Sequence, residues 1–313
     1  MPIGPLFSAI LIPMAFKKLY ILPFDHRASL ARLLGFDAEH LADAEKARMR
    51  DAKRVIYEGL LYAIEGGVQK EDAAILVDEE FGAEILKDAA ERGIRRIVPT
   101  EKSGQEEFAF NYGEGFAEHI EAFRPEFVKA LVRYNADADK TMNSRQAERL
   151  KALSDYCASH GYAFLLELLA IPTAEQLQSV NNDRLMYDRL LRGTIMVNSI
   201  VELRSRGANP AIWKVEGLED EEMFGRVIEE IKKESAARIV ILGRDENRER
   251  VIQWITAAAR FPEVIGFAVG RTIFEEPIAA WHRGEMAREK ASAEIASRFK
   301  EFAALFEKNA AAR

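Results

Sequence analysis

Cysteine is all but missing from this 313-residue chain: Cys157 stands alone, in SDYCASHGY. One cysteine excludes an intramolecular disulfide, fits a reducing cytoplasm, and within a helical stretch reads as packing rather than as a nucleophile. Histidine is scarce as well. Of the 5 present, only His26 falls where a strand is predicted to end, while His40, His119, His160 and His282 lie in or near predicted helices. No His-x-His or HExxH spacing occurs, so zinc chemistry finds no ligand set and no metal or other cofactor is expected. Charge of one sign is not in excess either: the net value is −7 with both signs scattered. That argues against a nucleic-acid surface.

Long apolar runs are absent apart from residues 3–16, IGPLFSAILIPMAF. This stretch is too short to span a bilayer, Pro5 and Pro13 interrupt it, and no basic segment precedes it, so neither a membrane span nor a secretory signal is expected. Residues 1–17 are read as an N-terminal extension, with Met14 as an alternative start, and residues 18–313 as one domain. Linkers rich in Pro, Ser or Gly are missing, as are charge blocks and short repeats, so nothing divides that domain. A Walker A loop, a serine nucleophile elbow and a Gly-rich dinucleotide turn are all lacking.

What the chain does have is alternation. Strand-like segments occur at Leu19–Phe24, Ala73–Asp78, Arg95–Thr100, Val128–Tyr134, Ala163–Leu169, Ala211–Glu216, Arg238–Leu242 and Ile265–Val269. Amphipathic stretches of helical period lie between them, at Ala38–Ala63, Ala83–Arg92, Arg145–His160, Asp220–Glu234 and Asn247–Arg260. Eight β/α units predict a closed (β/α)8 TIM barrel, an α/β fold, with an open doubly wound sheet as the alternative. Residues 170–210 form a helical excursion around Asn181–Asp183, and the charged tail Arg283–Arg313 forms a last helix outside the barrel.

In such a barrel chemistry belongs at the C-terminal ends of the strands, and each predicted strand here carries or ends in ionisable groups. Strand 1 ends in Asp25-His26-Arg27, strand 2 in VDEEFG and strand 3 in PTEKSG, with Glu101 and Lys102. In strand 4, Lys129, Leu131, Arg133 and Asn135 share one face by alternation. Glu167 sits within AFLLELLA and Lys214 within AIWKVEG. A lysine inside a strand is costly without water or a partner. Desolvated, it can lose its proton and form a Schiff base with a carbonyl, and a second cation such as Lys129 is one means of promoting this. Lys129 also reads as a plain ion-pair partner of Glu167. For Glu167, apolar neighbours predict a raised pKa suited to acid/base work. Glu216 reads as a rim residue. The acids Asp78, Glu79 and Glu80 read as structural partners or substrate ligands, an all-carboxylate magnesium site being the alternative. Gly243-Arg244 and Gly270-Arg271, at the ends of strands 7 and 8, supply close backbone approach and bidentate donors for a phosphate.

The motifs LPFDHR, VDEEFG, VPTEKSGQEEF, FVKALVRYN, WKVEGL and GFAVGRTIF resemble, in order from about Lys18 to Trp281, the 2-deoxy-5-keto-gluconate-6-phosphate aldolase domain of myo-inositol catabolism. That domain is related to the class I tagatose-1,6-bisphosphate and sulfofructose-phosphate aldolases. The resemblance implies a lyase cleaving the phosphorylated keto sugar acid to dihydroxyacetone phosphate and malonate semialdehyde. It implies Lys214 as the Schiff-base lysine, Glu167 as acid/base with Lys129 beside it, Asp25 on substrate hydroxyls and Arg271 at the phosphate. His26, Arg27, Glu101, Lys102, Arg133 and Asn135 are further substrate-binding candidates. LGRDEN departs from the serine-containing turn of those relatives, so a phosphate role for Arg244 rests on its residue type alone. Other ketose phosphates as substrate, or a non-catalytic sugar-phosphate-binding regulatory domain, are the alternatives. A cytoplasmic homo-oligomer without nucleic-acid or membrane partners is expected.

Overall fold

Each predicted strand feeds a helix that returns antiparallel over the outside, and the outcome is a closed barrel of eight parallel strands in sequence order. The computed structural model describes residues 17–233, 236–244 and 246–312. All of the expected N-terminal extension except Lys17, Met14 included, lies outside these residues. The strands are β1 (Leu19–Pro23), β2 (Ala73–Leu76), β3 (Arg95–Pro99), β4 (Phe127–Tyr134), β5 (Ala163–Ala170), β6 (Ile212–Glu216), β7 (Arg238–Leu242) and β8 (Val264–Ala268). Tyr20 pairs with Ala73 of β2 on one side and Phe267 of β8 on the other, which closes the ring.

The helices are α1 (Ala28–Leu33), α2 (Asp43–Glu65), α3 (Glu79–Arg92), α4 (Phe116–Phe123), α5 (Lys140–His160), α6 (Ala174–Ser179), α7 (Arg184–Leu190), α8 (Arg192–Ser205), α9 (Glu221–Lys232), α10 (Arg248–Ala258), α11 (Arg271–His282) and α12 (Arg288–Ala310). Among the described residues no helix is long and apolar enough to cross a membrane. Two helices start earlier than apolar periodicity indicates, because a side chain satisfies the first free N–H groups. Asp78 accepts from Phe81 N–H and opens α3, and Asp139 accepts from Thr141 and Met142 N–H and opens α5. The short α1 and α4 offer too few turns for a periodic signal. The excursion contains α6, α7 and α8, with Asn181 and Asn182 at positive φ between the first two.

Strand alternation sorts the core into two layers. Leu19, Ile21, Leu76, Ile97, Phe127, Leu165, Ile212 and Val240 fill the barrel interior. Tyr20, Leu22, Val98, Val128, Leu166, Trp213 and Ile241 point outward beneath the helices. Above this packed layer, toward the C-terminal strand ends, Lys129, Glu167 and Lys214 take inward positions, while at the opposite end Arg95, two residues before Ile97, shares the inward face and donates to the Lys18 carbonyl at 3.2 Å.

The β1–β8 seam depends on a missing side chain. A Cβ on Gly266 would lie 1.9 Å from the Leu19 carbonyl oxygen, a backbone atom that cannot rotate away. Gly266→Ala is therefore expected to destabilise the protein by about 3 kcal/mol. A lower urea midpoint at unchanged m value would report this, whereas an unchanged midpoint would show that the seam can shift.

Candidate active site

The site grows from the residue that follows each inner-layer position. In β6, Ile212 faces the packed interior, so Lys214 faces the same way two residues higher; in β5, Leu165 and Glu167 repeat the step. Glu167 and Lys214 are register partners across the β5–β6 pair, and Lys214 Nζ reaches Glu167 Oε2 at 2.8 Å. The same oxygen lies 3.1 Å from Lys129 Nζ on β4. Lys129 also donates to Asp25 Oδ2 at 3.0 Å and to Glu101 Oε1. One ammonium thus meets three carboxylates, two just past the ends of β1 and β3 and one within β5, and a second ammonium shares one of them. All five side chains are at most 13 % exposed.

Burial penalises each of these charges, and the neighbours decide which survive. Burial pushes the Asp25 carboxyl up, but Lys129, His26 and Lys214 outweigh it and hold the group well below the usual range. For Glu167, burial is again overcome, here by Lys214 and Lys129, and its pKa falls. This corrects the raised value expected from its apolar sequence neighbours, which lie along the strand while the two lysines come from the adjoining strands. Glu101 goes the other way: burial, reinforced by Asp25, outweighs Lys129 and raises its pKa. Lys129 is pushed down by burial but held well above its ordinary value by Asp25, Glu101 and Glu167.

These five side chains line a cavity of about 390 Å³ that His26, Arg27, Lys102, Arg133, Gly243, Arg244, Gly270 and Arg271 also border. Arg133 donates to the Gln105 carbonyl at 2.8 Å and Arg27 to the Glu101 carbonyl at 3.2 Å, both tying the β3 loop to the cavity. Asn135 lies outside the cavity wall. Its Nδ2 donates to the Ile171 carbonyl and to Gln176 Oε1, each at 2.7 Å, so it holds the β5 end and α6 together.

Glu216 is no rim residue. It is 1 % exposed, and its carboxylate receives the Ala170 N–H at 3.0 Å, Arg192 at 3.4 Å and Arg244 Nε at 2.7 Å. Asp188 joins from α7, 2.7 Å from Arg244 and 3.1 Å from Arg250. This buried lattice holds Arg244, whose backbone is left-handed at φ 48, against the cavity. Sequence reading missed Asp188 and Arg192. Their one available signal was the spacing of four across the α7–α8 junction, an acid followed by a base within apolar surroundings.

The remaining acids at the end of β2 serve structure. Asp78 pairs with Lys53, both side chains fully buried, while Lys53 also donates to the Phe24 carbonyl at 2.7 Å. Glu79 accepts from Tyr112 Oη at 2.6 Å and lies 3.3 Å from His119 Nε2. Burial opposes its charge, but the His119 and Tyr112 hydrogen bonds bring its pKa to about 2. No group of three or more metal-ligating side chains occurs among the described residues. Cys157 is buried and its thiol is pushed up to about 12 by burial, which suits packing and not nucleophilic attack.

A family described as "Uncharacterized protein conserved in bacteria (DUF2090)" matches residues 8–310. No curated protein matches the sequence. Among solved structures, the chain is similar to fructose-bisphosphate aldolase from Plasmodium falciparum, seen in a ternary co-crystal with TRAP and a small-molecule inhibitor. The TM-score is 0.64 at 12% identity, over 96% of this chain and 95% of that one. It is also similar to Cgl0159 from Corynebacterium glutamicum, with a TM-score of 0.54 at 16% identity over 90% of this chain and 87% of that one. At such identities the likeness establishes a shared barrel fold.

Lys129→Met would leave three buried acids without their common cation. A loss of about 3–5 kcal/mol is expected at neutral pH. The sign of the pH effect follows from the orphaned carboxylates, whose pKa values must rise: protonating them relieves the repulsion, so part of the loss returns in mild acid. Urea unfolding at both pH values checks this; an equal loss at each would show that packing of the stem dominates.

Proposed function

The chain belongs to the bacterial family DUF2090, and from the lysine–glutamate pair inside its barrel we propose that it is a class I, Schiff-base aldolase acting on a phosphorylated keto sugar acid. The observation that carries this reading is Lys214 Nζ, buried and 2.8 Å from Glu167 Oε2 in the wall of a cavity of about 390 Å³. A binding site for sugars needs hydroxyl partners but has no use for an amine hidden beside a carboxylate. An amine that captures a ketone needs both, because its proton must go somewhere before it can attack.

Glu167 takes a proton from Lys214, and the freed amine adds to the substrate ketone. With Lys214 neutral, one of the two cations that depress Glu167 is gone, so Glu167 binds its new proton more firmly when it must hold it. Returning that proton to the carbinolamine oxygen releases water and leaves an iminium. The positive charge is then restored beside the carboxylate. A base removes the proton of the hydroxyl on the β carbon, and the bond between the α and β carbons breaks. Its electron pair moves into the iminium to form an enamine, and the aldehyde departs. Protonation and hydrolysis of the enamine release the second product and Lys214.

The motif resemblance favours 2-deoxy-5-keto-gluconate 6-phosphate, with the ketone at C5, cleavage between C3 and C4, and dihydroxyacetone phosphate with malonate semialdehyde as products. Residue chemistry supports a substrate anionic at both ends. Gly243, Arg244, Gly270 and Arg271, at the ends of the neighbouring strands β7 and β8, suit the phosphate; Arg133 on β4, across the barrel, suits the carboxylate, with Arg27 after β1 a second candidate. Asp25, whose charge Lys129 holds at 3.0 Å, suits substrate hydroxyls.

Borohydride reduction in the presence of candidate ketose phosphates, followed by peptide mass mapping, is expected to leave a stable adduct on Lys214. Lys214→Met should lower turnover by at least about 10³-fold. An adduct on another lysine, or turnover without any adduct, would sink the proposal, and the substrate that traps fastest identifies the ketose. Replacing Arg133 by methionine should raise KM about 10- to 100-fold with little change in kcat; an unchanged KM would remove it from carboxylate binding.

A further inference from the structure

Charge does not balance around Lys129. Asp25, Glu101 and Glu167 converge with Lys129 and Lys214, three acids against two ammonium groups, each side chain at most 13 % exposed. Three buried acids cannot all ionise at low cost with two cations, so one of them is best placed to hold a proton. The geometry selects which. Glu167 touches both lysines, and Asp25 touches Lys129 with His26 Nδ1 4.0 Å away. Among the described residues Glu101 has Lys129 alone as a cationic contact for its carboxyl, through Oε1. Arg27 reaches only its backbone carbonyl, and that guanidinium lies 3.7 Å from Glu80. The other oxygen, Glu101 Oε2, is buried and, among the described residues, accepts no hydrogen bond from another side chain or backbone, yet Glu101 borders the cavity.

We propose that Glu101 is a catalytic residue that works as a neutral carboxylic acid, its Oε2–H donating a hydrogen bond to a hydroxyl or carbonyl oxygen of the bound substrate while Oε1 accepts from Lys129. An unpartnered buried oxygen is costly as an acceptor left empty, but as a donor awaiting a ligand it becomes a recognition element. The raised pKa of Glu101, from burial and from Asp25, agrees with this assignment. Among the charged groups facing it, Asp25 disfavours its ionisation, Lys129 favours it, and Glu167 and Lys214 lie beyond Lys129. As pH rises through the Glu101 pKa the donor is lost, and with it the hydrogen bond to substrate. The catalytic role rests on the aldolase reading; the protonation state does not.

Two measurements separate these. Infrared difference spectra of the full chain at neutral pH, wild type minus Glu101→Gln and wild type minus Glu101→Ala, are expected to show the carbonyl stretch of an un-ionised carboxylic acid. Carboxylate bands alone would overturn the proposal, whatever the enzyme does. With the substrate that traps on Lys214, the Gln variant, which keeps one acceptor and one donor, should retain kcat/KM within about 3-fold and lose the alkaline decline. The Ala variant should fall about 10- to 100-fold. A Gln variant as impaired as the Ala variant would show that the site needs the anion, which also overturns it. If no substrate traps while the acid band is present, the aldolase reading fails and the protonated Glu101 stands.

Discussion

A single ammonium group, that of Lys129, is the point on which the open end of the barrel depends. Three carboxylates from β1, β3 and β5 approach it, and an ammonium has three N–H bonds to give. The acids are at most 13 % exposed, and the Asp25 and Glu167 carboxylates would repel each other without it. Lys129 thereby ties together strand ends that are not neighbours in the sheet, and it is itself kept charged by what it holds. A group so committed is poorly suited to move protons, which leaves the acids and Lys214 to do so.

Around this hub the strand ends are held from outside by two further buried ionic contacts. On one side Lys53 of α2 reaches between β1 and β2, binding the Phe24 carbonyl and Asp78, and so fixes the backbone that leads into Asp25. On the other, Glu216 and Asp188 gather Arg192, Arg244 and Arg250 where β6, β7, α7 and α8 meet. Replacing such pairs by apolar side chains is often neutral for stability, but removing one partner is not. Their value here is positional: each anchors a loop that borders the cavity, and hydrophobic contacts would leave those loops free to slide.

Much of the fold was legible in the chain. Alternating apolar runs of two periods located all eight strands to within about two residues, because a parallel sheet buried on both faces leaves a long unbroken signal. Short helices such as α1 and α4 left none, and α3 and α5 began early because Asp78 and Asp139 cap them. Within the site, Lys129, Glu167 and Lys214 were visible as charges in places where charge is expensive. Asn135 shared their strand face but turned out to brace Ile171 and Gln176, since β4 outruns the cavity at its end.

Sequence by itself determined the barrel, the end of it that carries charge, and the identity of the ionisable groups there, because each follows from local period and from the cost of burying a polar side chain. Tertiary structure alone decided who neutralises whom. Glu167 sits among leucines along its own strand, yet two lysines from the flanking strands lower its pKa. Glu101, which nothing in PTEKSG distinguishes, is left with one lysine and an unpartnered oxygen. Glu216, beside Lys214 in the chain, belongs to a different ionic cluster. Coulomb and desolvation energies depend on distances across strands, and those exist only once the barrel has closed.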